Sequence, residues 1–128
     1  MKQKKSKPKS FYVKKLDRIF SEYIRKKYAD EWGMSRCYTC DAQKHWKELQ
    51  NGHYISRAHM AGRWESQNCR PQCVSCNIFK NGNYTEYAAR LVRDLGPDEL
   101  ERLNGLKKMV AQFSIEELKN KIEYYKKI

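Results

Sequence analysis

No stretch of this 128-residue chain is apolar for long enough to cross a bilayer, and no leader pattern of basic end, apolar run and small-residue cleavage site opens it. Those absences argue against a membrane or secreted protein. There is no internal repeat and no composition break that marks a second domain, so the expectation is one domain with a real but modest core. Acidic side chains are in short supply, 15 against 27 lysines and arginines, for a net charge of +12. A chain so poor in negative charge suits a polyanion, since each phosphate neutralised by Lys or Arg releases condensed counterions. Histidine is rare too, at three, so each can be weighed singly.

The positive charge is unevenly spread. Residues 1–30 carry 11 basic and 3 acidic side chains, residues 31–83 carry 7 and 4, and residues 84–128 carry 9 and 8. The imbalance therefore sits at the start of the chain. Residues 1–10 read as a disordered basic arm that grips a polyanion, or in the plainer alternative a solubilising tail, and residues 11–128 as a single domain.

Cysteine is what the chain has in quantity. Cys37-x-x-Cys40 and Cys73-x-x-Cys76 form two knuckles, each offering two thiolates from one tight turn, and the pairing is far more specific for structural zinc than either half alone. With no leader, thiols at this spacing point to a reducing, cytosolic setting and metal binding. Cys69 is the odd thiol, free or, alternatively, a substitute for one knuckle ligand. A thiol redox role is disfavoured, because two such pairs occur without a thioredoxin-like strand and helix pattern.

Tyr12, Leu16, Ile19, Phe20, Tyr23 and Ile24 recur at helical spacing, and that helix should stop before Gly33. Between the knuckles, Asn51-Gly52 suggests a tight hairpin with arms Trp46–Gln50 and Tyr54–Arg57, followed by an irregular loop over 58–71. A turn or two of helix should follow Asn77. Asn83 with Glu86 suggests a capping pair for a helix over 84–95 with Tyr84, Tyr87, Ala88, Leu91 and Leu95 inward. Gly96-Pro97 opens a short helix through Leu100 and Leu103, and Ser114 with Glu117 is a capping box for a last helix with Ile115, Leu118, Ile122 and Tyr125 inward.

Phosphodiester hydrolysis needs a base for water, a Lewis acid at the phosphate and positive charge nearby. His53 between the knuckles offers a neutral imidazole, and Asn77, next to the last cysteine, offers a hard carbonyl oxygen suited to magnesium or manganese. Arg57, Arg63 and Arg70 flank the pair as candidate phosphate clamps, with Lys14 and Lys15 on the first helix as further nucleic-acid contacts. Each arginine could instead be merely solvated. His45 reads as a surface residue, and Trp64 and the tyrosines as packing groups more than base-stacking ones.

The string Gly52-His53-Tyr54-Ile55-Ser56-Arg57, then His59, Arg63-Trp64, Asn68, and Gln72-Cys73-Val74-Ser75-Cys76-Asn77 ending in Gly82-Asn83 strongly resembles the lambdoid phage NinG/Rap recombination-nuclease family. The likeness runs from about Ile24 to the end of the chain and places it in the wider HNH, or His-Me finger, group. It implies an α+β fold, a zinc-stapled ββα-metal core with flanking N- and C-terminal helices. By the same resemblance His53 is the general base, Asn68 braces the loop that orients it, and Asn77 binds the catalytic magnesium. The implied activity is a metal-dependent DNA endonuclease acting on branched DNA, a Holliday junction or D-loop, during phage recombination in the host cytoplasm. A homodimer and phage recombination proteins are the implied partners.

One position departs from the group. Many members carry an aspartate just before the base, and here it is Gly52, leaving the catalytic ion short of a ligand. His59 is the first choice to replace it, with Glu65, Asp41 or water as alternatives; His59 could equally contact phosphate or be structural. The missing carboxylate is also the best support for the rival reading, a non-catalytic zinc module that only binds nucleic acid.

Overall fold

A computed structural model describes residues 6–128; residues 1–5, and with them half of the expected basic arm, lie outside the described residues. Helix α1, Lys9–Lys27, starts after Pro8 and ends on Arg25, Lys26 and Lys27, whose charges complement the negative end of the helix dipole. It takes in Lys9 and Ser10, which the sequence reading had assigned to the arm. Leu16, Ile19, Phe20 and Ile24 line its buried face and pack on Leu118 and Ile122 of the last helix, α5 (Ile115–Lys126), with Trp64 and Cys69 completing the cluster. The Ser114–Glu117 capping box at the start of α5 is formed on both sides.

Strands β1 (Met34–Arg36) and β2 (Gln43–His45) pair antiparallel around the first cysteine knuckle, where Asp41 takes a left-handed φ of 64°. Strand β3, Gln50–His53, pairs antiparallel with β4, Cys69–Gln72, in the register Gln50↔Gln72, Asn51↔Pro71, Gly52↔Arg70 and His53↔Cys69. This corrects the expected hairpin. Asn51-Gly52 runs straight through β3 instead of turning, because the partner strand comes from the stretch read as an irregular loop. Trp46–Glu48 is a 3-10 turn, and the connection from β3 to β4 carries the short helix α2, Met60–Arg63, and a second 3-10 turn, Ser66–Asn68.

After β4 the chain forms the second knuckle and a π-helical turn, Ser75–Phe79, that starts before Asn77. Helices α3, Tyr84–Leu95, and α4, Pro97–Gly105, then pack together through Tyr87, Leu91, Leu103 and Leu106. Two expectations for α3 are corrected. Asn83 sits at a left-handed φ of 49° with no side-chain cap, since its amide turns toward Cys76 Sγ and the Thr39 carbonyl, and Glu86 pairs with Arg90 instead. Tyr84 is nearly half exposed and faces a cleft, not the core. The result is a mixed α+β fold with two small antiparallel sheets among the described residues. Among the described residues no helix is long and apolar enough to cross a membrane.

Candidate active site and metal centre

The ligand atoms of Cys37, Cys40, Cys73 and Cys76 all lie within 4.8 Å of one another, and Cys40 Sγ is 3.7 Å from Cys73 Sγ. Tetrahedral zinc with Zn–S bonds of about 2.3 Å places its sulfurs roughly 3.8 Å apart, so the four thiols fit that ion. Burial raises the Cys37 thiol, but hydrogen bonds from the Cys73 backbone and from Thr39 outweigh it and bring it down to about 6; burial and the neighbouring thiols push Cys40 up to about 12. Four thiols this close cannot all ionise without a cation among them, which a divalent metal would supply. Further donors surround the sulfurs: the Cys76 N–H at 3.5 Å from Cys73 Sγ and the Asn83 amide at 3.7 Å from Cys76 Sγ. Cys69 is not part of this group. It is fully buried against α1, and burial holds its thiol far above the usual range.

Because β4 leads directly into the second knuckle, the cysteine cluster adjoins the sheet from which the neighbouring cleft is built. This cleft, about 410 Å³, is lined by His53 and Gln50 of β3, Asn77 of the π-helical turn, Arg57 and Arg63 of the β3–β4 connection, and Asp17 of α1. His53 Nε2 lies 2.8 Å from the Arg63 carbonyl oxygen. A carbonyl only accepts, so Nε2 carries the proton and the neutral ring keeps its lone pair on Nδ1. Burial lowers the His53 pKa below the ordinary histidine value, against the opposing pull of that carbonyl and of Asp17, while Arg57 and Arg63 lower it further. Neutral imidazole is therefore the form present at cellular pH. Asn77 is held by its N–H to Cys73 O at 2.9 Å, and its Nδ2 donates to Gln50 Oε1 at 2.7 Å, an arrangement that leaves Oδ1 as the amide atom available to a ligand.

Asn68 makes three side-chain hydrogen bonds to backbone groups. Fully buried, it accepts from Ile55 N at 2.7 Å and donates to Ile55 O at 2.9 Å and Gly62 O at 3.0 Å, tying the segment after β3 to α2. Arg57 is exposed at the cleft, 3.9 Å from Asp17, and Arg63 is forked onto the same carboxylate. Arg70 is a correction. Its guanidinium is buried, donates to the carbonyls of Gln67 and Cys69, and stacks near the rings of Tyr28 and Tyr38, so it holds the fold and is closed to phosphate. Lys14 and Lys15 border a hollow on α1 with Phe11 and Arg18.

None of the residues expected to replace the missing aspartate lines the cleft. His59 precedes α2 and lines a neighbouring hollow with Tyr54 and Lys107; Glu65 pairs with Arg102, and Asp41 with Arg90. Gly52 has a packing reason: a Cβ there would stand 2.0 Å from Gln72 Oε1, in a side chain that is fully buried and bonded to Thr39 and Gly82. Among the described residues, the one carboxylate lining the cleft is Asp17, which the sequence reading missed. The available signal was weak, one of only two acidic residues, with Glu22, on a predominantly basic helix. Half-buried Gln50, Asn77's partner, was missed as well.

A family model described as "Bacteriophage Lambda NinG protein" matches residues 1–128. Among curated proteins the chain is similar to protein ninG of Escherichia phage lambda, 28% identical over 124 residues, covering 95% of this chain and 58% of that protein. It is likewise similar to protein ninG of Salmonella phage P22, 29% identical over 99 residues, with 74% and 46% of the two chains covered, and to that of Escherichia phage 933W, 26% identical over 98 residues, with 76% and 46% covered. The chain thus spans about half the length of the curated relatives it matches. No solved structure matches it.

Proposed function

The chain belongs to the NinG family of lambdoid phage proteins, and from that premise we propose that it is a metal-dependent DNA endonuclease of HNH type, acting on branched intermediates of phage recombination in the host cytoplasm. The observation that carries this reading is the shared cleft: His53, its ring oriented by the Arg63 carbonyl at 2.8 Å, and Asn77, anchored beside the cysteine cluster, face the same space. The antiparallel pair β3–β4 followed by the turn Ser75–Phe79 supports reading this region as a ββα-metal core.

In this proposal His53 Nδ1 accepts the proton of the attacking water, as a neutral base positioned by Asn68 and Arg63. Magnesium or manganese, held in part by Asn77 Oδ1, supplies Lewis-acid stabilisation of the phosphate and the leaving oxygen. Arg57, only loosely paired with Asp17, is the arginine free to hold a phosphate, while Lys14 and Lys15 extend the positive surface along α1. A homodimer would let two such clefts reach both strands of a Holliday junction or D-loop.

A second reading, a zinc-containing DNA-binding module without catalysis, is favoured by one feature: among the described residues the only acidic side chain lining the cleft is already bound to Arg63 and Trp64. Cleavage of linear, nicked and four-way DNA with and without magnesium separates the two. The endonuclease reading expects magnesium-dependent cleavage that His53→Ala abolishes while junction binding and zinc content persist. Binding with no cleavage under any divalent ion leaves the module.

A further inference from the structure

We infer that Asp17 of α1 is a positioning residue for His53, acting through the peptide unit between Arg63 and Trp64. Arg63 Nε donates to Asp17 Oδ1 at 3.0 Å and Arg63 Nη2 to Oδ2, while Trp64 Nε1 donates to Oδ1 at 3.0 Å. Two successive side chains therefore grip one carboxylate, and the peptide that joins them is held from both ends. Its carbonyl is the Arg63 oxygen that accepts the His53 Nε2 proton. That oxygen is available because it lies in the last turn of α2, where carbonyls have no partner within the helix.

The clamp is rigid on every side. Asp17 and Arg63 are each less than one-fifth exposed, Trp64 is buried against Phe113, and Arg63 Nη1 also donates to Arg57 O at 3.2 Å. Asp17 itself cannot drift, since its neighbours Leu16 and Phe20 are fixed in the α1–α5 core. The first helix thus sets both the tautomer and the aim of the imidazole, and a carboxylate on the far side of a backbone carbonyl stabilises the imidazolium that forms when His53 takes a proton. The charges that face His53 are Asp17 from α1 and Arg57 and Arg63 from the β3–β4 connection.

The inference rests on His53 as the proton acceptor, but its test does not depend on cleavage alone. Zinc-loaded, 15N-labelled full chain is compared as wild type, Asp17→Asn and Asp17→Ala, reading the His53 ring nitrogens by NMR across pH together with kcat and KM on four-way DNA. Wild type should show a single Nε2-protonated tautomer. Asp17→Asn, which keeps an oxygen for Trp64 but no charge, should titrate His53 at lower pH and move the acid limb of the rate profile the same way. Asp17→Ala should lose the single tautomer, with kcat falling on the order of tenfold to a hundredfold at little-changed KM. If Asp17→Ala melts earlier yet keeps the tautomer, the titration point and kcat, Asp17 is a packing group and the inference is overturned. If no protein cleaves DNA but the tautomer still depends on Asp17, the positioning holds and the nuclease reading fails.

Discussion

Replacing Asn68 with alanine removes a carboxamide that is fully buried and makes hydrogen bonds of 2.7, 2.9 and 3.0 Å to Ile55 N, Ile55 O and Gly62 O. Each backbone group left without a partner in the interior costs about 1–3 kcal/mol, so the substitution should cost about 3–5 kcal/mol once some water enters the vacated space. That is a large part of the roughly 5–15 kcal/mol by which a small domain is stable. Asn68→Asp should fare no better: one oxygen can still accept from Ile55 N, but the other faces two carbonyl oxygens. The damage should be local first, because the amide joins the segment after His53 to α2. Urea denaturation of zinc-loaded protein gives the free energy, and hydrogen exchange at the Ile55 amide reports the local opening. Asn77→Ala, which removes one half-buried hydrogen bond, is the control and should cost about 1 kcal/mol. A loss below about 1 kcal/mol in Asn68→Ala, with Ile55 still protected, would refute the bracing role.

Three more expectations follow from the same geometry. Cys73→Ser should reduce zinc affinity and loosen β4 and the π-helical turn, whereas Cys69→Ser should leave the zinc content unchanged; metal analysis after dialysis distinguishes them. Gly52→Asp, which introduces the carboxylate that the HNH resemblance leads one to expect there, should lower stability and not raise activity, because its Cβ would meet Gln72 Oε1 at 2.0 Å; higher magnesium-dependent cleavage with unchanged melting would count against the packing argument. The pH dependence has a definite sign. Folded His53 binds a proton less readily than the unfolded chain, whose histidine titrates near about 6.5, so its contribution to stability is full above that value and is lost as pH falls through the window to the lower folded pKa. Comparing wild type with His53→Gln cancels the thiolate protonation common to both, and an identical acid loss in the two would contradict burial of a neutral ring.

What could be read from the sequence was local, and what could not was set by distant partners. The two knuckles were legible because each is a local four-residue unit, and two such units in one chain point to four thiols brought together. Helices α1 and α5 were legible from apolar period and from the Ser114–Glu117 box. Asn51-Gly52 misled because a turn-prone dipeptide becomes strand when another strand supplies its hydrogen bonds, and that strand, Cys69–Gln72, lay in a stretch with no alternating pattern. Arg70 looked like a phosphate clamp since nothing in its neighbours announces that carbonyls of residues 67 and 69 would enclose it. Asp17 stayed invisible for the same reason, its meaning coming from Arg63 and Trp64, which are 46 and 47 positions away.

The most direct test of the account is single-turnover cleavage of a four-way junction at saturating protein and magnesium by wild type, His53→Ala, Asn77→Ala and the double variant, each with its zinc content verified. Groups that act as a unit on one phosphate are non-additive. Each single variant should lose cleavage, and the double should be no slower than the worse of the two. Wild-type cleavage by either folded, zinc-loaded single variant would contradict the shared site.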